Sequence, residues 1–236
     1  MRVLIEQGSG ERGKRVSLDA DEVHHLKVRR ATDGERVEVL DGAGFQGSGV
    51  LVKAGRTWMV DIGDAELQQR PPALTLAVAT GDRERFSWMV EKSVELEVSR
   101  IVPLETLRTA GVATRLKAAH VTRLRRSAME AIKQCGAAWA PTIEDPVSFG
   151  EFMAGPLNGS GWLAEQHGDS APASVDQGSV TVIVGPEGGL TEGEREAAVS
   201  AGYRPTALGS HTLRFETAAL AAAAAIIQAR MRGSDG

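Results

Sequence analysis

The rhythm of apolar positions divides the chain. Over residues 1–70 the apolar stretches are short and β-like: Arg36-Val37-Glu38-Val39-Leu40, Gly49-Val50-Leu51-Val52 and Thr57-Trp58-Met59-Val60-Asp61-Ile62. Asp41-Gly42 and Gly47 punctuate them as turns. Several short strands at close spacing predict a small barrel. One stretch breaks the pattern, Asp21 to Ala31, and predicts a helix opened by an Asp cap.

Arg70-Pro71-Pro72 reads as a boundary, because tandem prolines suit an extended linker. Beyond it, strand and helix patterns alternate. Leu74 to Ala79 is a strand, and Phe86, Met89, Val90 and Val94 recur at helical spacing within Arg83 to Glu97. Ile101-Val102-Pro103-Leu104 is a second strand. A long helix follows from about Thr114 to Cys135, with Leu116, Val121, Leu124, Ala128, Ile132 and Cys135 as its apolar stripe. Phe149 to Ala154 is a short helical piece, and Gly161 to Glu165 a short strand. Gln166 to Gly178 is polar and is expected to be mobile. Val180 to Val184 is an apolar strand, followed by a helix to Ala201. Pro205 to Leu208 is the last strand, and an Ala-rich helix, Thr217 to Met231, closes the pattern. Alternating β and α predicts an α/β unit with a mainly parallel sheet and helices on both faces. The expected domains are therefore 1–70 and 73–236.

Composition refines this. Of 236 residues, 42% are hydrophobic and 25% charged, so a sizeable core is available. Aromatics are only 4%, so that core rests on Val, Leu, Ile and Ala. The single cysteine, Cys135, leaves no internal disulfide and fits a reducing cytoplasm. It is expected to act as a small buried hydrophobe. The longest apolar run, Ala218 to Ile227, is too short to span a bilayer, and no signal-peptide pattern opens the sequence.

Net charge is −4, which argues against a positively coated protein, although nucleic-acid binding depends on local clusters. Two clusters stand out. Lys27, Arg29 and Arg30 end the first helix, and the long helix carries Arg115, Lys117, Arg123, Arg125, Arg126 and Lys133 against Glu130. Each reads either as a solvated face or as a phosphate contact. His24 and His25 point in different directions on a helix, so no metal site is expected there.

Two glycine-rich loops carry the strongest chemical signal. Gly185-Pro186-Glu187-Gly188-Gly189-Leu190 follows a buried strand and precedes Thr191-Glu192-Gly193-Glu194, a capping box. Ligands of open α/β sheets sit at such strand–loop–helix junctions. The loop is not G-x-G-x-x-G and lacks the Lys-Ser/Thr of a P-loop. Glu187 would repel phosphate there; it suits a cation, a ribose hydroxyl or a backbone amine. The second loop runs from Leu208-Gly209 through Leu213-Arg214-Phe215-Glu216-Thr217-Ala218. Strand ends at Glu165, Gly185 and Gly209 can form one pocket.

These two loops together resemble those of the RsmE-type family, the 16S ribosomal RNA uridine-N3 methyltransferases of the SPOUT superfamily. Further matches are His25-Leu26-Lys27-Val28-Arg29-Arg30 followed by Gly34, Glu91-Lys92-Ser93-Val94-Glu95-Leu96 with Ile101-Val102-Pro103-Leu104, and Glu130-Ala131-Ile132-Lys133-Gln134. They span nearly the whole chain; the paired loops are the specific part. The resemblance implies a C-terminal SPOUT-type parallel sheet with a trefoil knot, threaded through the loops around Gly185 and Gly209, and a small PUA-like or OB-like N-terminal β-barrel. It implies S-adenosylmethionine as cofactor, 16S ribosomal RNA or the small subunit as partner, a homodimer and a cytoplasmic setting. Cofactor contacts would come from Leu163, Glu165, Gly185, Glu187, Gly188, Gly189, Leu208, Gly209, Leu213 and Thr217. Either Glu165 or Glu187 would accept ribose hydroxyls.

Uracil N3 is a poor nucleophile until it loses its proton. A guanidinium beside the base would favour the anion, and Arg214 is the first choice. Glu216 would be either the proton acceptor or an ion-pair partner that holds Arg214. RNA contacts would include Lys27, Arg29, Arg30, Arg83, Arg123 and Arg126. Several positions depart from the family pattern: Thr80 for a common Lys, Glu97 for a Gly, Ala137 for an Arg, and His211 and Phe215 for an Arg and a small residue. They bear on RNA contact, because positive charge is lost. Two other readings remain: another SPOUT enzyme acting on a ribose 2′-hydroxyl or a different base, and a non-catalytic RNA-binding ribosome-assembly protein.

Overall fold

The computed structural model describes residues 1–109, 116–172, 175 and 178–234. It separates into two units, Met1–Arg70 with Met129–Ala140, and Pro71–Ala128 with Pro141–Gly236.

The first unit is built on β1 (Arg2–Leu4), β2 (Arg15–Ser17), α1 (Ala20–Val28), β3 (Arg36–Leu40), β4 (Phe45–Ala54) and β5 (Thr57–Leu67). Its sheet has the order β1-β3-β4-β5-β2, antiparallel except for the parallel β1–β3 ladder. Val37, Val39, Leu51, Val60 and Ile62 alternate into the core with Leu26 of α1, as the period of two requires. The cap of α1 is Asp19, which accepts from the Glu22 N–H, so the helix starts earlier than the Asp21 expected. It also ends earlier. Arg29 is the C-cap and Arg30 takes φ 56°, a left-handed stop that keeps Ala31 out of the helix.

The second unit continues with β6 (Leu74–Ala79), α2 (Arg83–Glu95), β7 (Arg100–Glu105), α3 (Ala118–Cys135), β8 (Thr142–Ile143), β9 (Val147–Ser148), α4 (Phe149–Met153), β10 (Ser160–Ser170), β11 (Val180–Val184), α5 (Glu192–Ser200), β12 (Tyr203–Ala207) and α6 (Phe215–Ser234). Residues of α3 fall on both sides of the division between units. The sheet order is β12-β10-β11-β6-β7-β8, with β9 also on β7, and every described ladder is parallel. All six residues of β6 are buried, as a central strand covered on both faces demands. One face packs Ala77, Val102, Leu163 and Ile183 against Phe149 of α4 and Ala198 of α5. On α2 and α6, Phe86 and Phe215 stack with ring centroids 6.2 Å apart.

Two expectations are corrected. Cys135 is exposed rather than buried, because it closes the last turn of α3 just before Gly136, where φ is +83°. The stretch after Glu165 is not simply a mobile loop, since β10 runs on to Ser170. Thr114 and Arg115, expected to open the long helix, lie outside the described residues. The described helix begins at Ala118 and buries Val121, Leu124, Ala128 and Ile132.

Candidate functional site

The site is made where β10, β11 and β12 end. Leu163 pairs with Ile183 and Pro205 in register, so the three strands deliver their following residues to one edge of the sheet. A cavity of about 430 Å³ opens there. That is within the range of small-molecule sites. Its lining brings together Leu163, Glu165, Gly185, Glu187, Gly189, Leu208, Gly209 and Leu213, all expected at a cofactor site. Phe215 and Ala218 of α6 complete it with apolar surface. Gly188 and Thr217 are not in the lining; both are exposed.

β10 shapes one wall through an irregularity. Thr206 of β12 pairs with both Ala164 and Asp169, so residues 165–168 bulge out between the two pairings. The bulge turns Glu165, Gln166 and His167 to the cavity together. Gly168 makes this possible: a Cβ there would stand 2.4 Å from the Pro205 and Thr206 backbone. Gln166 then ties the bulge to the second loop. Its Oε1 accepts from Thr212 Oγ1 at 2.7 Å, and its Nε2 donates to the Ser210 carbonyl at 3.5 Å.

The first loop is a tight turn. Gly189 N–H donates to the Pro186 carbonyl at 2.7 Å, and Gly189 holds φ +73°, where a side chain would be strained. The capping box opening α5 is formed: Glu194 Oε2 accepts from Thr191 N–H and Oγ1, and Thr191 Oγ1 accepts from Glu194 N–H.

Arg195 is a cavity residue that sequence reasoning missed. Its Nε stands 2.9 Å from Glu165 Oε1 and 3.2 Å from Oε2, and its Nη1 is 3.5 Å from Glu192. Glu165 is therefore held as a charged, oriented acceptor. The sequence does place Arg195 one turn into a helix that starts beside the first loop. Only the fold brings it to Glu165.

The two residues expected to carry catalysis sit at the start of α6. Arg214 is exposed and is not part of the cavity lining, although Leu213 and Phe215 on either side are. Glu216 is buried, and its Oε2 has no hydrogen-bond partner among the described residues. Its described ion pair is with Arg85, 3.9 Å from Oε1, not with Arg214. The expectation that Glu216 holds Arg214 by an ion pair is thus replaced by one to α2. Arg214 lies just before the first residue of α6 and is exposed, whereas Glu216 is buried.

The basic residues differ in their surroundings. Lys133 is nearly buried between Glu22 at 2.6 Å and Glu130 at 2.8 Å, and Arg125 donates to the Ile143 carbonyl and Asp145, so neither is a free phosphate contact. Lys27, Arg29, Arg30, Arg123 and Arg126 are exposed, and Arg83 is half-buried. Half-burial, and then the charges of Arg83, Arg123 and Lys117, hold His120 below its usual range.

The family model for an RNA methyltransferase domain matches residues 68–227. The chain belongs to this family. A second model, for an RNA methyltransferase PUA domain, matches residues 18–57. The chain is 29% identical to the ribosomal RNA small subunit methyltransferase E of Synechocystis, over 89% of this chain and 72% of that protein. It resembles the crystal structure of the Neisseria gonorrhoeae ribosomal RNA small subunit methyltransferase E bound to S-adenosyl methionine, with a TM-score of 0.83, 27% identity and 95% of each chain covered. A probable rRNA-methyltransferase from Porphyromonas gingivalis matches with a TM-score of 0.79 and 30% identity, over 92% of this chain and 94% of that one. As an RNA methyltransferase, the chain has RNA as its substrate class. No helix among the described residues is long and apolar enough to cross a membrane.

Proposed function

We propose that this chain is an S-adenosylmethionine-dependent methyltransferase acting on N3 of a uridine in 16S, small-subunit ribosomal RNA. One observation carries the reading: both glycine loops and the β10 bulge line a single cavity whose charged groups are carboxylates and one paired arginine. That chemistry fits a cationic, diol-bearing, phosphate-free cofactor. The relatives named small subunit methyltransferase E, and the bound S-adenosyl methionine of one of them, support the same choice.

Leu163, Gly185, Gly189, Leu208, Gly209 and Leu213 supply backbone edges and apolar walls for the adenine. Glu165, oriented by Arg195, accepts ribose hydroxyls, with Glu187 as the second carboxylate at the rim. Gly188 and Thr217 act from outside the lining. S-adenosylmethionine supplies an activated methyl group on a sulfonium. The protein's share is to align the base, exclude water and favour loss of the N3 proton. Arg214 stabilises the charge that spreads onto O2 and O4. Glu216 is buried beside Arg85 of α2 and outside the cavity lining, so it steadies the start of α6 rather than taking the proton.

Lys27, Arg29, Arg30, Arg83, Arg123 and Arg126 contact RNA phosphates. A homodimer, a trefoil knot around the two loops, a cytoplasmic setting, and a division into an RNA-binding domain at 1–70 and a methyltransferase domain at 73–236 belong to the same reading.

Calorimetry with S-adenosylmethionine tests the site, with one cofactor expected per chain. Arg214→Ala should bind cofactor within about twofold of wild type, while turnover on small-subunit RNA falls by about 10²–10³-fold, the usual cost of losing one charge-stabilising donor. An unchanged rate would remove Arg214 from the mechanism.

A further inference from the structure

We infer that the turn after β7, residues 106–109, is a clamp that holds the first glycine loop in its cofactor-accepting shape, with Arg108 as the positioning residue. The inference rests on the cofactor reading above.

One link joins this turn to the loop, and a second joins it to α5, the helix the loop leads into. The Arg108 guanidinium donates through Nη1 to the Gly188 carbonyl. The Leu107 N–H donates to Glu194 Oε1 at 2.8 Å. Glu194 is buried, and its other oxygen closes the capping box of α5, so one carboxylate serves both the helix start and the clamp. The turn is itself braced: Thr106 N–H donates to Thr109 Oγ1 at 2.9 Å, and Thr109 N–H to the Thr106 carbonyl at 3.0 Å. Arg108 also lies along the glycines, with its Cδ 3.5 Å from where a Gly188 Cβ would stand and its Nη1 3.7 Å from that of Gly189.

This placement explains why Gly188 does not line the cavity. Its carbonyl is taken by Arg108, while its neighbours Glu187 and Gly189 line the cavity. A turn that depends on a positive φ at Gly189 has other accessible shapes. The clamp removes that freedom before the cofactor arrives, and a preorganised loop binds more tightly because less order is lost on binding. Arg108 need not touch the cofactor to have this effect.

The test is S-adenosylmethionine calorimetry and steady-state kinetics on the full chain with Arg108→Ala and Arg108→Lys. Arg108→Ala should weaken cofactor binding about tenfold and raise KM for the cofactor to match, with kcat at saturation within about twofold and the melting temperature unchanged. Arg108→Lys, which can still donate to Gly188, should recover part of the loss. If wild type binds and Arg108→Ala binds equally well, the clamp is wrong. A wild-type chain that binds no cofactor would instead overturn the functional reading. If kcat falls while cofactor affinity holds, Arg108 acts on the RNA or the chemistry and the clamp is again wrong.

Discussion

At the scale of single residues, like charges gathered around a titratable ring invite a functional explanation. His120 is such a place. The Lys117 N–H donates to its Nδ1 at 3.1 Å, so in the neutral ring Nε2 carries the proton. Burial and then Arg83, Arg123 and Lys117 keep its pKa below 6.5. Well above pH 6.5 the ring is neutral in both folded and unfolded chains and contributes nothing. As pH falls from 6.5 through the lowered folded value, the unfolded chain takes up its proton first, so folding becomes less favourable. A phosphodiester at this cluster offsets the cations and draws the proton on. RNA affinity should therefore rise as pH falls across the same window, and His120→Gln should flatten that rise. An imidazole NMR titration with and without RNA checks it: the bound value should lie above the free one. Of such residue-level features, the two loops could be read directly, because glycine and capping chemistry are local. The Arg108–Gly188 and Leu107–Glu194 contacts could not, because 80 and 87 positions separate the partners.

At the scale of elements, β6 and β11 match their expected bounds because buried parallel strands are near-continuous apolar runs. The second half of β10 is Gln166-His167-Gly168-Asp169-Ser170, which has no apolar face to announce it. It is strand because β12 takes it up again after the bulge. The same bulge is the cavity wall, so the departure from simple pattern coincides with the site. α6 shows the limit of propensity. Its alanines give a helix, but it is anchored by Arg230, whose buried guanidinium donates to the carbonyls of Pro72 at 3.0 Å, Ala73 at 3.0 Å and Gly178 at 2.9 Å. Arg230→Ala removes a donor from each of those carbonyls, leaving Ala73 its bond from the Val180 N–H, and opens a hole. It should lower unfolding stability by about 2–4 kcal/mol, read from the midpoint of urea denaturation. A midpoint unchanged from wild type would show that the anchor contributes nothing.

At the scale of the whole molecule, a strand-rich unit and an α/β unit were legible from the change in rhythm at Arg70-Pro71-Pro72. The inclusion of 129–140 with the first unit was not, since those residues continue a helical pattern that began beyond the boundary. Family membership now joins the two matched regions, residues 18–57 and 68–227, in one RNA methyltransferase. Nucleoside mass spectrometry of small-subunit ribosomal RNA reads out the modified atom itself. Cells lacking this protein should lose 3-methyluridine from that RNA, and the wild-type chain should restore it while Arg214→Ala does not. If 3-methyluridine persists unchanged in the deletion strain, or a different methylated nucleoside disappears in its place, the protein does not methylate uridine N3.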